Sequence, residues 1–323
     1  MKCYQIVSHD GPVVSGAADT PELGADNAMI AIHACALNFA DLLMAKGTYQ
    51  DTPELPFILG LELAGTVTEV ANGADKHLIG TRIAAFTGQG GLAEFAAVPI
   101  ERCVPLPDSM SFAEAAAFQI AYGTSHVALS YKADLQPGET LLVLGASGGV
   151  GLTAVEIGKL MGARVIACAR GADKLEIARQ AGADHLIDTD TQDIRAEVKA
   201  LGGANVVYDP IGGEQFTAAF RACNPEARIL IIGFASGDLP EIKPNHLLVK
   251  NISLLGLYWG GYYKIAPHVA TDSLKQLFTW YDQGKIRPHI SYTFPLEQAD
   301  EALETLRTRK STGKVVVQIK PED

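Results

Sequence analysis

The sequence predicts an α/β protein in which a doubly wound parallel sheet is joined to a β-rich domain. Three observations carry this prediction. A glycine-rich turn separates a buried strand from a helix near the middle of the chain, within residues 140–170. Strand-like and helical runs alternate after that turn, whereas the residues before 118 are almost purely strand-like. At 323 residues, the chain is also long enough for two domains.

The central unit is the strongest of these signals. Leu141–Leu144 is a short apolar run, typical of a strand that is buried on both faces. The turn Gly145–Gly151 follows, and apolar residues then recur at helical spacing up to Gly162, before Arg164–Cys168 predicts a second buried strand. Glycines let backbone approach a pyrophosphate, and a helix N-terminus offers it unpaired N–H groups. The unit therefore predicts dinucleotide binding, with a tight packing turn as the alternative.

Residues 1–118 predict the β-rich domain. Its strand-like runs are separated by Gly, Pro and Asp turns, and they are Tyr4–Val7, Ala28–Ala34, Ala64–Val70, Arg82–Phe86, Gly91–Val98 and Cys103–Leu106. Helical spacing begins only at Ser111, where Ser111 and Glu114 have the spacing of a capping box.

Residues 119–258 alternate between the two kinds of element. The predicted helices are Lys174–Gln180, Ile194–Ala200, Glu214–Ala222 and Pro244–Leu248, and the predicted strands are Asp184–Ile187, Ala204–Tyr208, Arg228–Gly233 and Ile252–Tyr258. This order predicts a parallel sheet with right-handed crossovers. The tail adds helix Ala270–Gln283, strand Ile290–Phe294, helix Leu296–Thr308 and strand Lys314–Ile319.

Composition excludes several classes of function. The net charge of −11 argues against nucleic acid or an anionic membrane as the main partner. No stretch approaches the ~20 apolar residues of a membrane span, and the N-terminus lacks the apolar core of a signal peptide. Five cysteines lie singly, as is typical of buried thiols in a reducing compartment. We therefore expect a cytoplasmic protein.

Several local motifs occur in a recognisable order along the whole chain. They are Asn38–Asp41, Gly47–Tyr49, Pro56–Glu62 with Gly65, Gly123–Thr124, Gly138–Gly151, Asp209–Gly213, Gly233–Ser236 and Gly313–Val316. Together they resemble the medium-chain dehydrogenase/reductase superfamily, and within it the zinc-independent quinone oxidoreductase branch that includes the zeta-crystallins. The resemblance implies a GroES-like catalytic domain (1–118 and 259–323), a Rossmann domain (119–258) that binds NADPH, and a substrate cleft between them. It also implies a homodimer formed through the edge strand Ile252–Tyr258.

The resemblance bears on metal binding as well. Zinc-dependent members hold zinc with a cysteine, a histidine and a third side chain, and these positions correspond here to Asn38, Leu61 and the region of Gln119–Ile120. Leucine cannot ligate a metal, so we expect no metal. A displaced site is the alternative, built from His33, Cys35 and Asp41.

The absence of a Lewis acid would favour an acceptor that is already activated for hydride, such as a quinone or a conjugated double bond. The nicotinamide would supply the chemistry, while the protein orients it and stabilises the developing oxyanion. The resemblance places Tyr49 and Asn38 near the substrate and Thr124 beside the nicotinamide. Leu43 stands where this branch often has a tyrosine, which implies a more apolar pocket.

The cofactor prediction depends on the end of the second central strand. An NAD site has an acid about 20 residues beyond the glycine turn, to bind the ribose diol. The strand ends instead at Arg170, and Arg170 with Lys174 could pair with the 2′-phosphate of NADP. NADPH is therefore predicted. Further cofactor contacts implied by the resemblance are Ser147, Gly148, Gly149, Val150, Thr189, Gly233, Phe234, Leu257, Tyr258 and Lys314.

Three functions remain open at this level. The leading hypothesis is a zinc-independent, NADPH-dependent quinone oxidoreductase. The second is an NADPH-dependent reductase of enones or enoyl thioesters, a choice that Leu43, Tyr49 and Trp259–Tyr263 would shape. The third is a nucleotide-binding structural protein of the crystallin kind, which failure to bind NADPH would favour.

Overall fold

A computed structural model describes residues 1–71 and 73–321. The chain forms two compact units, one of Met1–Ile120 with Arg287–Asp323 and one of Ala121–Ile286. The first junction lies close to the predicted boundary at 118. Residues 259–286, which the resemblance assigned to the first domain, lie instead in the second unit. A hydrogen bond of 2.8 Å between His126 Nδ1 and Ser273 Oγ is one of the contacts that tie them to it.

The described residues form sixteen strands. They are β1 (Lys2–Ile6), β2 (Val14–Ala17), β3 (Asn27–Leu37), β4 (Phe57–Ile58), β5 (Glu62–Val70), β6 (Arg82–Phe86), β7 (Phe95–Pro99), β8 (Val104–Pro105), β9 (Thr140–Val143), β10 (Arg164–Ala169), β11 (His185–Asp188), β12 (Ala204–Asp209), β13 (Cys223–Ile231), β14 (Ser253–Gly256), β15 (Ile290–Pro295) and β16 (Lys314–Gln318). Every predicted strand has a counterpart among them, although β13 begins at Cys223 rather than at Arg228.

Eleven α-helices connect the strands within the described residues. They are α1 (Phe39–Ala45), α2 (Phe112–Ala116), α3 (Gln119–His126), α4 (Gly149–Leu160), α5 (Ala172–Gln180), α6 (Ile194–Ala200), α7 (Gly213–Ala222), α8 (Pro244–Lys250), α9 (Tyr262–Ile265), α10 (Pro267–Asp282) and α11 (Ala299–Arg307). A π-helical segment, Val127–Lys132, follows α3, and short 3₁₀ turns occupy Gly73–Leu78, Ile100–Arg102, Trp259–Gly261 and Leu296–Gln298. The predicted capping box at the start of α2 is present, with the Ser111 hydroxyl accepting from the Glu114 N–H.

The second unit is built on a six-stranded sheet in the order β11-β10-β9-β12-β13-β14, and every neighbouring pair is parallel. The chain first runs outward from β9 to β11 and then crosses to the other side of β9 at β12. The predicted doubly wound sheet is therefore confirmed. The central strand β9 is buried at every position, as expected where helices cover both faces of such a sheet. The buried core includes Leu142, Leu144, Ile166, Val207, Ile229, Phe216 and Ala219.

The first unit is built around one long strand, β3. It pairs antiparallel with β5, β7 and β16 in a seven-stranded sheet, while β1, β2 and β4 form a smaller sheet. Two buried clusters lie along β3, one around Ile30, Ile32 and Val67 and the other around Cys35, Leu37 and Val317. This β-rich unit also agrees with the predicted fold class. No described helix is both long and apolar enough to span a lipid bilayer.

Candidate active site

The glycine turn between β9 and α4 leaves no room for a side chain at Gly151. A Cβ atom at Gly151 would collide with the carbonyl oxygen of Gly145. Gly145 itself has a φ of +59°. Gly148 is the N-cap of α4 and provides no side-chain cap, so the first N–H groups of this helix remain available to a ligand. The turn therefore has the form of a phosphate-binding turn.

A second turn lies beside it, at the end of β12. The Asp209 carboxylate accepts hydrogen bonds from Ile211 N–H (2.7 Å) and Gly212 N–H (2.9 Å). Burial raises the pKa of Asp209, and these two N–H donors oppose that effect. The Ile211 side chain packs so closely on the glycine turn that a Cβ at Gly145 would lie 2.7 Å from it. Since β9 and β12 flank the point where strand order reverses, these turns border the crevice in which such sheets bind ligands.

Most predicted cofactor residues lie at this same edge of the sheet. Arg170 follows β10, Lys174 lies in the first turn of α5, and Thr189 follows β11. The others are Ser147, Gly148, Gly149 and Val150 after β9, Gly233 and Phe234 after β13, and Leu257 and Tyr258 after β14. The carboxyl ends of parallel strands share one edge, so the sheet brings these residues together. Their individual contacts with a cofactor stay predictions.

A buried group of hydroxyls anchors α4 behind the turn. Ser125 Oγ lies 2.9 Å from the Val150 carbonyl, 2.8 Å from Thr153 Oγ1 and 2.9 Å from the Tyr208 hydroxyl. Burial raises the pKa of Tyr208, so its hydroxyl keeps its proton. Thr124, predicted to lie beside the nicotinamide, is the buried neighbour of Ser125 in α3. The hydroxyls therefore join α3, α4 and β12 through directional bonds.

An acid that the sequence argument overlooked lies near the two basic residues. The sheet register pairs Ala169 with Asp188, which places Asp188 at the same edge as Arg170. Its carboxylate accepts from Gly171 N–H at 3.0 Å, and this bond lowers the pKa of Asp188. Arg170 is exposed and Lys174 is half-buried. The basic pair after β10 thus lies near a braced acid at the end of β11.

The first unit contains a buried polar cluster formed by Asn38, Asp41, Glu62 and Lys314. Lys314 Nζ donates to Glu62 Oε1 at 2.9 Å and to Asn38 Oδ1 at 2.7 Å. Glu62 Oε1 also accepts from Asn38 Nδ2 at 3.0 Å, and its Oε2 accepts from Ile120 N–H at 2.9 Å. The structure thereby brings three of the sequence motifs together. It places Lys314, predicted to contact the cofactor, in an ion pair with side-chain exposures of 6% for Lys314 and 1% for Glu62.

The hydrogen bonds of this cluster restrict what Asn38 can do. Its Nδ2 group donates to both Glu62 and the Ala36 carbonyl, and its Oδ1 accepts from Lys314. Both amide protons are thus in use, and in this arrangement none is left for a substrate oxygen. Asn38 is well placed to orient Glu62 and Lys314. Its predicted contact with the substrate stays a prediction.

Asp41 is fully buried beside the ion pair. Its carboxylate accepts from Asn38 N–H at 2.7 Å and from Gly60 N–H at 3.2 Å. Burial raises the pKa of Asp41 to about 7, against the opposing effects of these donors and of Lys314. Burial also raises the pKa of the neighbouring Cys35 thiol. Both groups are therefore less acidic than in water.

Tyr49 and Gln119 complete the residues singled out by sequence in this unit. Tyr49 is half-buried beyond α1 and packs on the apolar cluster that includes Leu37, Met44 and Phe57. Gln119 begins α3, and its side chain is buried.

The residues present do not fit a zinc ion. Among the described residues, no group of three or more His, Cys, Asp and Glu side chains could hold a metal. The alternative site of His33, Cys35 and Asp41 is not formed. His33 stacks on Phe112 with ring centroids 4.0 Å apart, and Asp41 faces backbone N–H groups. The Lys314 ammonium, bonded to Asn38 and Glu62, would in addition repel a cation there.

Comparison with known proteins gives a consistent result along the chain. Residues 24–108 match the alcohol dehydrogenase GroES-like domain, and residues 149–276 match the zinc-binding dehydrogenase domain. A "Quinone oxidoreductase-like protein 2 homolog" of Nematostella vectensis is 40% identical over 314 residues, which cover 95% of this chain and 86% of that protein. The "Quinone oxidoreductase-like protein 2" of Bos taurus is 37% identical over 293 residues, covering 90% and 84%.

Solved structures extend the comparison to the fold. The quinone oxidoreductase of Thermus thermophilus, whose complex with NADPH is also known, is 32% identical. It superposes with a TM-score of 0.89 and covers 99% of this chain and 100% of its own.

Proposed function

Because the chain belongs to the quinone oxidoreductase branch of the medium-chain dehydrogenase/reductase superfamily, we propose that it transfers hydride from NADPH to a quinone. The observation that carries this proposal is the crevice at the switch point of the parallel sheet. A glycine turn with no room for a Cβ at Gly151 and an uncapped helix N-terminus border that crevice. Both features suit the pyrophosphate of a dinucleotide.

The preference for NADPH rests on the loop after β10. Arg170 and Lys174 supply two positive charges where the 2′-phosphate of NADP would lie. Asp188 brings a negative charge to the same edge, but its carboxylate is engaged by the N–H groups of Gly171 and Asp190. The acid therefore braces the loop, while Arg170 stays exposed for the phosphate.

The class of acceptor follows from the side chains that could ligate a metal. No described side-chain group can hold the metal that polarises an alcohol or a simple ketone. A quinone or conjugated carbonyl needs no such help, since the bound nicotinamide supplies the hydride and conjugation carries charge to an oxygen. The protein must then bind the acceptor, orient it and stabilise that oxygen. The apolar surroundings of Tyr49 also suit an enone, so an enone or enoyl-thioester reductase is the second candidate.

The test is the oxidation of NADPH by purified, metal-stripped protein with a small benzoquinone and a conjugated enone assayed in parallel. We expect faster turnover of the quinone, and a higher kcat/KM with NADPH than with NADH. Faster turnover of the enone would assign the chain to the double-bond reductases. Activity that appeared only after addition of zinc would contradict the proposal, and failure to bind NADPH would favour a structural role.

We also propose that the protein is a homodimer whose six-stranded sheets join at β14. This strand ends the sheet, and an unpaired edge strand invites pairing with a second copy. Leu239, Leu248 and Val249 lie shortly before it, and each is more than 70% exposed. One chain has a mass of 34.3 kDa, and light scattering after size exclusion should give twice that mass. Leu248→Glu should shift the protein toward monomer. A monomeric wild type would contradict this proposal.

A further inference from the structure

Gln119 carries an amide that the fold leaves unsatisfied. Its side chain is 1% exposed, and among the described residues neither Oε1 nor Nε2 has a hydrogen-bond partner. Buried polar groups are nearly always paired, because removing a primary amide from water without a partner destabilises the folded state. If Gln119 served only packing, replacing it by leucine would make the folded state more stable. The amide therefore suggests a partner that is not part of the polypeptide.

The position of Gln119 indicates what that partner is. The next residue, Ile120, donates its N–H to Glu62 Oε2 at 2.9 Å, and Glu62 binds Asn38 and Lys314 through its other oxygen. Gln119 is thus attached directly to the buried polar cluster. In this cluster, both amide protons of Asn38 form hydrogen bonds with protein atoms. The amide of Gln119, in contrast, forms no hydrogen bond with the described protein atoms.

We propose that the Gln119 amide binds the carbonyl oxygen of the acceptor and stabilises the oxyanion that forms there, an inference that rests on the proposed function. In the reaction, hydride carries its electron pair to the conjugated acceptor, and the displaced π electrons move to the carbonyl oxygen. Gln119 Nε2–H donates a hydrogen bond to this oxygen as its charge grows. A proton from water then converts the oxyanion to a hydroxyl, which can donate to Gln119 Oε1.

A neutral amide suits this role better than a charged group. Glu62 and Lys314 already neutralise each other at 2.9 Å, so a further charged side chain in this buried cluster would lack a counter-ion in the free protein and would be strongly disfavoured. An amide donor can be buried without a counter-ion and needs no deprotonation within the working pH range.

The experiment compares wild type with Gln119→Leu, which keeps a similar volume and removes the amide. We expect Tm to rise by about 2–6 °C, because an unsatisfied amide is lost. We expect kcat/KM for the acceptor to fall roughly 10²-fold, the effect of removing one oxyanion donor. The Kd of NADPH, measured by fluorescence titration without acceptor, should stay within twofold. This combination of higher stability and lower activity is specific to a functional amide.

Gln215→Leu is the matched control. Gln215 lies on α7 in the second unit, and its side-chain oxygen is likewise buried without a described partner. The same substitution there should leave kcat/KM for the acceptor within twofold of wild type.

The outcomes separate the inference from the function on which it rests. Gln119→Leu with a raised Tm and unchanged kcat/KM would show that the amide does not contact the acceptor. A lowered Tm with lost activity would show that the amide has a structural partner, and this would also overturn the inference. If wild-type protein failed to oxidise NADPH with either the quinone or the enone, the proposed function would be refuted instead, and the role of Gln119 with it.

Discussion

Replacing Lys314 by methionine should destabilise the first unit more than any surface substitution. Methionine keeps much of the side-chain volume but removes the ammonium that binds Asn38 and Glu62. Glu62 would remain at 1% exposure, with only the neutral donors Asn38 Nδ2 and Ile120 N–H. The variant thus leaves a buried carboxylate without a counter-ion.

The geometry of the pair sets the magnitude. At 2.9 Å and an effective dielectric constant of ~20, the attraction between Lys314 and Glu62 is about 6 kcal/mol. Part of this is offset, because the variant no longer has to bury an ammonium. We expect a net loss of ~3–5 kcal/mol in the free energy of unfolding, the usual effect of removing one partner of a buried pair. The double variant with Glu62→Gln should lose less than the sum of the two single variants.

Urea unfolding followed by circular dichroism is the assay. Both tryptophans, Trp259 and Trp280, lie in the second unit, so tryptophan fluorescence should report on the other half of the chain. The larger shift should therefore occur in the circular dichroism transition. Lys310→Met, at an exposed lysine of the first unit, is the control and should change stability by less than ~0.5 kcal/mol. A loss below ~1 kcal/mol for Lys314→Met would refute the reasoning, because it would mean that water reaches the pair.

Three further predictions address the other sites. Burial raises the pKa of Asp41 to about 7 from an ordinary 3.8, so the protonated carboxyl is favoured in the folded state. Its contribution to stability is present below pH ~4 and lost as pH rises to about 7, so between pH 4 and 8 wild type should lose up to ~4 kcal/mol more than Asp41→Asn in urea titrations. Gly151→Ala should weaken NADPH binding at least about tenfold in fluorescence titrations, since its Cβ would collide with Gly145. Arg170→Ala should raise the KM of NADPH about tenfold in steady-state assays and leave that of NADH unchanged, because only NADPH carries the 2′-phosphate.

Each of these has a clear contrary outcome. Parallel pH profiles for wild type and Asp41→Asn would mean that Asp41 is ionised throughout. A Cβ at Gly148 would meet Gly145 O at 3.4 Å, so Gly148→Ala should be milder than Gly151→Ala, and the reverse order would contradict the role of the close contact. Equal effects of Arg170→Ala on NADPH and NADH would argue against a 2′-phosphate contact.

The sequence alone determined the features that depend on neighbouring residues. Three features could be predicted because each arises from spacing within a few residues: the glycine turn, the alternation of strands and helices, and the capping box at Ser111. The fold class and the family followed from these local patterns and their order. Most candidate cofactor residues could also be placed, since every parallel strand contributes its carboxyl end to one edge of the sheet.

Only the tertiary structure decided which distant residues share a site. Lys314 meets Glu62 across 252 positions of sequence, and no local pattern signals that pairing. Strand register, not spacing along the chain, placed Asp188 beside the loop of Arg170. The use of both amide protons of Asn38, and the unsatisfied amide of Gln119, likewise depend on burial and on donors from other elements. Periodicity and turn chemistry are local, whereas the pairing of buried charges and amides is fixed only when the strands have packed.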